Sequence, residues 1–377
     1  MENLYYVGLD VHKRFITSCA KTPDGVIAQE DKIKARRADL VTWAQSLNRP
    51  WIGAMEATLF TGWIYDTLAP HAKELKTGHP AMMRAIGASK KKNDRLDARK
   101  IADMVRCNLL PECYMAPRET RELRRALRHR NFLVKVATRL KNKTAGLLME
   151  CGAEYDKKKL HGKKYFQGLM GQIEEEVPAS VREMLRFDHG AMQLFEKTQK
   201  LVLTRLAANT QLHERIERLA TIDGVGVTMA LTWALEIGDP ARFGSIRKAV
   251  SYCGLCAAQR ESAGKGARGP LSKQRNKHLQ TMLIEVAKLA PLHNARLKEI
   301  YDREAARSNK NQATLAVARR LVAYLLAVDR SGKPFELRAS ATQEAQLEEH
   351  VDRAPKGKSS SKSVSKKRVA PKKKTMK

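Results

Sequence analysis

Tyr5-Tyr6-Val7-Gly8-Leu9-Asp10 and Trp51-Ile52-Gly53-Ala54-Met55-Glu56 are two apolar runs, each closed by a carboxylate. Short apolar runs of this kind read as buried strands. A third segment, Asn93-Asp94-Arg95-Leu96-Asp97-Ala98-Arg99, sets two acids one helical turn apart, where they face the same way. A strand-end Asp, a second strand-end acid and a helical acidic pair are what a divalent-metal nuclease centre needs. Hard cations such as Mg²⁺ or Mn²⁺ take oxygen ligands from a few carboxylates and leave room for phosphate. Two such ions about 3.5–4 Å apart can activate an attacking oxygen and stabilise a leaving one.

Around these acids, residues 4–110 alternate between strand and helix. Phe15 to Ala20 is a second apolar stretch, and Thr22-Pro23-Asp24-Gly25 is a strong hairpin signal. Val26 to Ile33 returns as a third strand. Ala38 to Leu47 has helical spacing, Trp63 to Ala69 is a second helix, and a short strand precedes Gly78-His79-Pro80. A hairpin followed by strand–helix alternation predicts a mixed sheet flanked by helices. Acids at strand ends of such a sheet share one edge, where ligands usually sit. Lys90, Lys91 and Lys92 lead into the acidic helix, on which Asp103 reads as a solvated charge on another face.

The rest of the chain is strongly basic. The 377 residues hold 71 Lys and Arg against 40 Asp and Glu, a formal net charge of +31, which points to a polyanionic partner and most simply to nucleic acid. An anionic membrane would call for a basic amphipathic helix with bulky apolar residues opposite, and neither terminus shows one. No apolar run spans a bilayer, and Met1-Glu2-Asn3-Leu4 does not begin a signal sequence. The expectation is a cytoplasmic, nucleoid-associated protein.

From Pro117 to about Cys151 the pattern is helical, with Leu123, Leu127, Val134 and Ala137 at near-heptad spacing. Arg124, Arg125, Arg128, Arg130, Lys141 and Lys143 crowd its other faces, suited to a phosphate backbone or to a solvated coiled-coil surface. Glu174 to Ala208 reads as a returning helical arm interrupted by Pro178. A second globular block begins near Leu219. There Thr221-Ile222-Asp223-Gly224-Val225-Gly226 reads either as a helix–hairpin–helix turn whose amides, at Gly224 and Gly226, bind phosphate, or as a plain glycine turn. Gln259 to Gly269 is small, polar and basic, and reads as a flexible loop carrying Ser262 beside Lys265, Arg268 and Lys273. A serine hydroxyl there can attack a phosphodiester, although a serine in a glycine-rich loop is ordinarily a loop residue. Cys253-Gly254-Leu255-Cys256 lacks the second ligand pair of a zinc site and reads as packing. Ala354 to Lys377, rich in Lys, Ser and Pro, reads as a disordered tail adding non-specific affinity.

Taken together, these segments resemble the DEDD-type insertion-sequence transposases of the IS110 family, related to the Piv/MooV DNA invertases. The resemblance rests on Gly8-Leu9-Asp10-Val11-His12-Lys13, Met55-Glu56-Ala57-Thr58 and Asn93-Asp94-xx-Asp97-Ala98-Arg99. It extends through Arg121 to Arg130, Lys141-Asn142-Lys143, Ile222 to Gly226, Gly238-Asp239, Arg242-Phe243, Tyr252 to Leu255, Glu261-Ser262, Ser272-Lys273 and Asn276. It implies a RuvC-like, ribonuclease-H-type mixed sheet with flanking helices over 1–115, a basic helical coiled-coil region over 116–217, a mainly helical transposase domain over 218–345 and a disordered tail over 346–377. It implies that Asp10, Glu56, Asp94 and Asp97 bind Mg²⁺ or Mn²⁺, and that Ser262 is a nucleophile forming a phosphoserine link to DNA, the site being completed by a partner subunit. It further implies a dimer that pairs into a tetramer on donor and target DNA, directed in some members by a structured bridge RNA. The chain departs from the pattern at Ala263, at Arg275 and at His79.

Two other readings compete. A structure-specific nuclease of the Holliday-junction-resolvase kind needs the four acids but not Ser262. A non-catalytic nucleic-acid-binding protein needs neither, but it leaves Asp10 and Glu56 as costly carboxylates at the ends of apolar strands.

Overall fold

The computed structural model describes residues 3–86, 93–262 and 265–336, with backbone only for 259–262 and 265–268. The chain folds as two compact units, the first ending at His129 and the second beginning at Arg130. Lys90, Lys91, Lys92 and the basic tail lie outside the described residues.

The first unit is built on five strands: β1 (Tyr5–Val11), β2 (Phe15–Lys21), β3 (Ile27–Lys34), β4 (Trp51–Glu56) and β5 (Glu74–Gly78). Helix α1 (Arg37–Ser46) precedes β4. Helices α2 (Thr61–Leu68), α3 (Pro80–Ile86) and α4 (Asp94–Arg106) follow in turn. The sheet order is β3-β2-β1-β4-β5. The β1–β2 and β2–β3 pairs are antiparallel, as a tight turn at Asp24-Gly25 requires; β1–β4 and β4–β5 are parallel, each joined through helix. This is the mixed sheet with flanking helices that the alternation predicts.

Strand alternation gives the sheet two different faces. Tyr5, Val7, Leu9, Trp51 and Met55 pack with Leu40, Trp43, Ile64 and Leu68 of α1 and α2 in one large apolar core. The opposite face carries Gly8 flanked in register by Cys19 and Ala54, both fully buried and small. Helix α4 lies directly on it. A Cβ at Gly8 would stand 2.0 Å from the Ala98 carbonyl oxygen and 2.4 Å from the Ala102 nitrogen, so only glycine allows this approach. Ion pairs then fix the helix along its length. Arg99 donates through Nε and Nη2 to the Glu30 carboxylate at 2.6 and 2.7 Å, and Lys21 donates to Asp103 at 2.6 Å. Asp103 is therefore not the solvated charge its position suggests. The Lys21 side chain, only 9% exposed, needs a counter-charge, and Asp103 supplies it.

Helix α5 (Arg118–Glu150) spans the boundary between the units. Its burial follows Leu127, Leu133 and Ala137, so Leu133 takes the inward place expected of Val134. Helices α6 (Lys163–Gln172), α7 (Ala179–Ala207) and α8 (Thr210–Ala220) come next. Leu147, Leu148, Leu160, Phe166, Leu169, Ile173 and Leu185 make a separate small core around α6. Pro178 does not interrupt a helix. It is the N-cap residue of α7, a place where fixed φ and a missing N–H cost little, and Glu174 to Glu176 fall outside the helix.

The remainder is helical except for one ribbon. Helices α9 (Val227–Ile237) and α10 (Ile246–Tyr252) precede β6 (Ala257–Ser262) and β7 (Lys265–Leu271). Helices α11 (Lys277–Leu289), α12 (Ala295–Arg307) and α13 (Lys310–Ser331) close the unit. Every residue of α9 from Met229 to Ile237 is buried, as an all-round apolar helix must be. The ribbon corrects the expected flexible loop, since β6 and β7 pair antiparallel with Ser262 opposite Lys265. A two-residue connection containing glycine is a standard hairpin signal, and Ala263-Gly264 supplies it in the sequence.

Candidate functional site

The acids are placed by the same contact that seats α4. Leu9 pairs with Met55 across the parallel β1–β4 ladder, so Asp10 and Glu56 are the next residues on neighbouring strands at the sheet's C-terminal edge. Asp10 lies two residues beyond Gly8 and thus on the α4 side. Ala98 and Ala102 sit over Gly8, which brings the preceding turn of the helix, with Asp94 and Asp97, toward Asp10. Asn93 starts that turn firmly: its side-chain oxygen accepts the Leu96 amide at 2.8 Å.

One residue that sequence reasoning left without a role stands between the acids. His12 Nε2 donates to Asp10 Oδ2 at 3.0 Å and lies 3.5 Å from Asp94 Oδ1. The three side chains bring their ligand atoms within 4.8 Å of one another. Burial raises the Asp10 carboxyl above its usual range. The charge and hydrogen bond of His12 pull it back, and Asp94 and Asp97 push it up again. A half-buried carboxylate raised by burial and by like charges is one that a cation relieves. The donor set, two carboxylates and an imidazole, is one that can hold a divalent metal ion. The signal for His12 was available: it follows Asp10 by two residues, directly after the last residue of β1, close enough in sequence to share the strand end with that acid.

The other two acids stand apart from this group. Asp97 acts on Asp10 by charge, and its own oxygen lies 3.5 Å from Lys100. Glu56, half-buried on the neighbouring strand, is not within the three-residue cluster. Its backbone carbonyl accepts Thr61 Oγ1 at 3.0 Å, which ties the strand end to the start of α2.

In the second unit, buried polar contacts hold the two roots of the ribbon. Glu236 on α9, 1% exposed, accepts a hydrogen bond from Asn276 Nδ2 at 2.8 Å. Asn276 also caps α11, accepting the His278 and Leu279 amides, and its own amide donates to the Tyr252 carbonyl at 2.9 Å. Tyr252 Oη donates to the Glu236 carbonyl at 3.2 Å, and the Arg242 guanidinium stacks on the Phe243 and Tyr252 rings. Gln280 Nε2 reaches the Gly254 carbonyl at 2.6 Å. The ribbon so held carries Ser262, Lys265 and Arg268, described by backbone alone, and leads to exposed Lys273.

The remaining candidates divide by environment. On α5, Arg125, Arg128 and Lys143 are exposed; Arg124 and Arg130 are half-buried, and Lys141 pairs with Glu196 of α7 at 2.7 Å. Gly224 adopts φ +88° and packs where a Cβ would stand 2.9 Å from Ala290 Cα, while Gly226 is the exposed N-cap residue of α9. Cys253 is fully buried and its thiol is pushed far above the ordinary range by burial, which makes it inert packing.

Two family models match the chain. The model for IS110-type DEDD transposases, described as "Transposase", covers residues 7–152, and "Transposase IS116/IS110/IS902 family" covers residues 216–302. The chain belongs to the IS110 family of DEDD transposases. The first match takes in the mixed sheet, α4 and all of α5, and fits a RuvC-like DEDD domain; the second takes in α9, α10, the serine ribbon and α11. A transposase for insertion sequence element IS1328 from Yersinia enterocolitica is 24% identical over 89% of this chain and 99% of its own length. A transposase for insertion sequence element IS1111A from Coxiella burnetii is 25% identical over 78% of this chain and 79% of its own. The Sinorhizobium fredii protein y4qE is 23% identical over 55% of this chain, and the match spans about half of the length of that relative. Among the described residues, no helix is long and apolar enough to cross a membrane.

Proposed function

We propose that this IS110-family chain is a DNA transposase that cleaves and rejoins DNA strands, using Asp10, Glu56, Asp94 and Asp97 to hold divalent metal and Ser262 as nucleophile. The observation that carries the reading is the convergence of Asp10, His12 and Asp94 at the sheet edge in a chain matched by both halves of a transposase family. A bound Mg²⁺ or Mn²⁺ supplies charge neutralisation at a phosphodiester. Asp10 and Asp94 would hold the ion, with Glu56 at the end of the neighbouring strand and Asp97 one turn along α4 from Asp94. His12 holds the Asp10 carboxylate by its hydrogen bond.

The covalent step balances without an external energy source. Ser262 Oγ attacks phosphorus and loses its proton, an Oγ–P bond forms, and one P–O bond to deoxyribose breaks. The displaced sugar oxygen takes up a proton. Reversal by a hydroxyl from another strand releases Ser262 and joins that strand. The exposed basic face of α5, with Arg125, Arg128 and Lys143, together with Lys90 to Lys92, Lys273 and the tail, binds phosphate backbones. The Gly224 and Gly226 turn adds backbone amides. A structured bridge RNA directing donor and target choice, and a dimer that pairs into a tetramer, complete the reading.

The test is trapping of a protein–DNA adduct on DNA from the gene's own flanks, alongside sequencing of the RNA that co-purifies. Ser262→Ala eliminates the adduct, Asp10→Asn lowers strand cleavage by about a thousandfold or more, and both retain DNA affinity. An adduct that survives Ser262→Ala places the nucleophile elsewhere. Cleavage without any adduct, still dependent on Asp10, selects the structure-specific nuclease. Bulk cellular RNA in place of one discrete species removes the guide.

A further inference from the structure

Leu59 is 98% exposed, the most exposed of the large apolar side chains among the described residues. It does not sit on a loose loop. Thr61 Oγ1 donates to the Glu56 carbonyl at 3.0 Å and accepts the Thr58 amide at 2.7 Å. The Phe60 amide donates to Thr58 Oγ1 at 3.2 Å, and the Ala57 amide to the Gly78 carbonyl at 3.0 Å. Phe60 packs inward against the main core of the first unit. The residues on either side of Leu59 are thus tied down by hydrogen bonds and by an anchored ring, and the turn holds a bare isobutyl group out into solvent.

Its position limits what it can meet. Leu59 follows Glu56 by three residues, so the two Cα atoms lie within about 11 Å of each other. A phosphodiester brought to the acids places its neighbouring nucleotides, spaced about 3.4 Å along each strand, inside that radius. Phosphate and sugar are polar, and the apolar surface a nucleic acid offers there is the face of a base. Apolar side chains inserted between bases part the stack and kink the strand path.

We propose that Leu59 is a wedge that enters the base stack within about three nucleotides of the bond cleaved at the acids. The wedge opens the duplex so that the scissile phosphate can approach Asp10 and Asp94. This proposal rests on the reading of those acids as a DNA-cleaving centre. It makes Leu59 a substrate-positioning residue, selective for easily unstacked pyrimidine–purine steps.

The test uses the full-length protein with Mn²⁺ and a duplex from the gene's own flank whose nick has first been mapped. 2-Aminopurine is then placed in turn at each of about three positions on either side of the nick. The expected result is a fluorescence rise of about twofold or more at one position as its base leaves the stack. The rise is lost in Leu59→Ser and kept in Leu59→Phe, with affinity unchanged in both. Nicking by the wild type with no rise at any position, or with the same rise in Leu59→Ser, overturns the wedge and leaves the acids' role intact. A change in oligomeric state in Leu59→Ser, with the rise unaffected, makes the residue a protein contact and overturns the wedge too. Nicking that persists in Asp10→Asn overturns the reading beneath it.

Discussion

The acid centre and the serine ribbon are held in opposite ways. Asp10 is part of a central strand, and the helix that brings Asp94 to it lies on the bare backbone of Gly8 one residue pair away. The geometry is set by direct backbone packing, with few adjustable parts. Ser262 lies at the far end of a two-stranded ribbon whose roots are held by Glu236, Asn276, Tyr252 and Gln280. The first arrangement rests on direct backbone packing, the second on side-chain hydrogen bonds at the base of the ribbon.

Three substitutions break or sharpen this contrast. The largest effect is expected of Gly8→Ala, which adds only one carbon. Its Cβ meets backbone rather than side chain, so α4 must shift, at about 1–3 kcal/mol or more. Cleavage and metal affinity fall together, while the thermal unfolding of the second unit stays in place. Retention of wild-type Mn²⁺ affinity in a folded Gly8→Ala protein contradicts the account of how the acids are set. Asn276→Ala comes next. It removes the α11 cap and the hydrogen bond to a buried carboxylate, about 2–4 kcal/mol in sum. Adduct yield drops with metal binding unchanged, and equal losses in both would show that the two centres share one support.

The smallest effect is that of Glu30→Gln. The Arg99 guanidinium holds the Glu30 carboxyl below its usual range. A depressed folded value contributes stability above the unfolded carboxylate value of about 4.3 and loses it as pH falls through the folded one. The variant therefore melts a few degrees lower than wild type at neutral pH, and the difference vanishes in acid. A gap that persists in acid would assign the effect to packing rather than to charge.

The sheet was legible because its strands are short apolar runs bounded by turn residues. The hairpin at Asp24-Gly25 and the acids ending β1 and β4 follow from pattern and propensity alone. What escaped depends on distant partners. Asp103 looks like any surface charge until β2 brings Lys21 beneath it. Gly8 looks like one small residue in a strand until a helix from some ninety residues later lies on it. The ribbon escaped because polar and small residues hide strand alternation, and its antiparallel pairing is a matter of backbone register. His12 belongs to the same short motif as Asp10, but its place between Asp10 and Asp94 needed the helix in position.

The central claim is that Asp10 and Asp94, separated by most of the first unit in sequence, form one metal site. Mn²⁺ titration of the full-length protein followed by electron paramagnetic resonance tests it without DNA or turnover. The account predicts saturable binding that Asp10→Asn and Asp94→Asn each weaken by about tenfold or more, with both variants folded by circular dichroism. Unchanged binding in either single variant would contradict it.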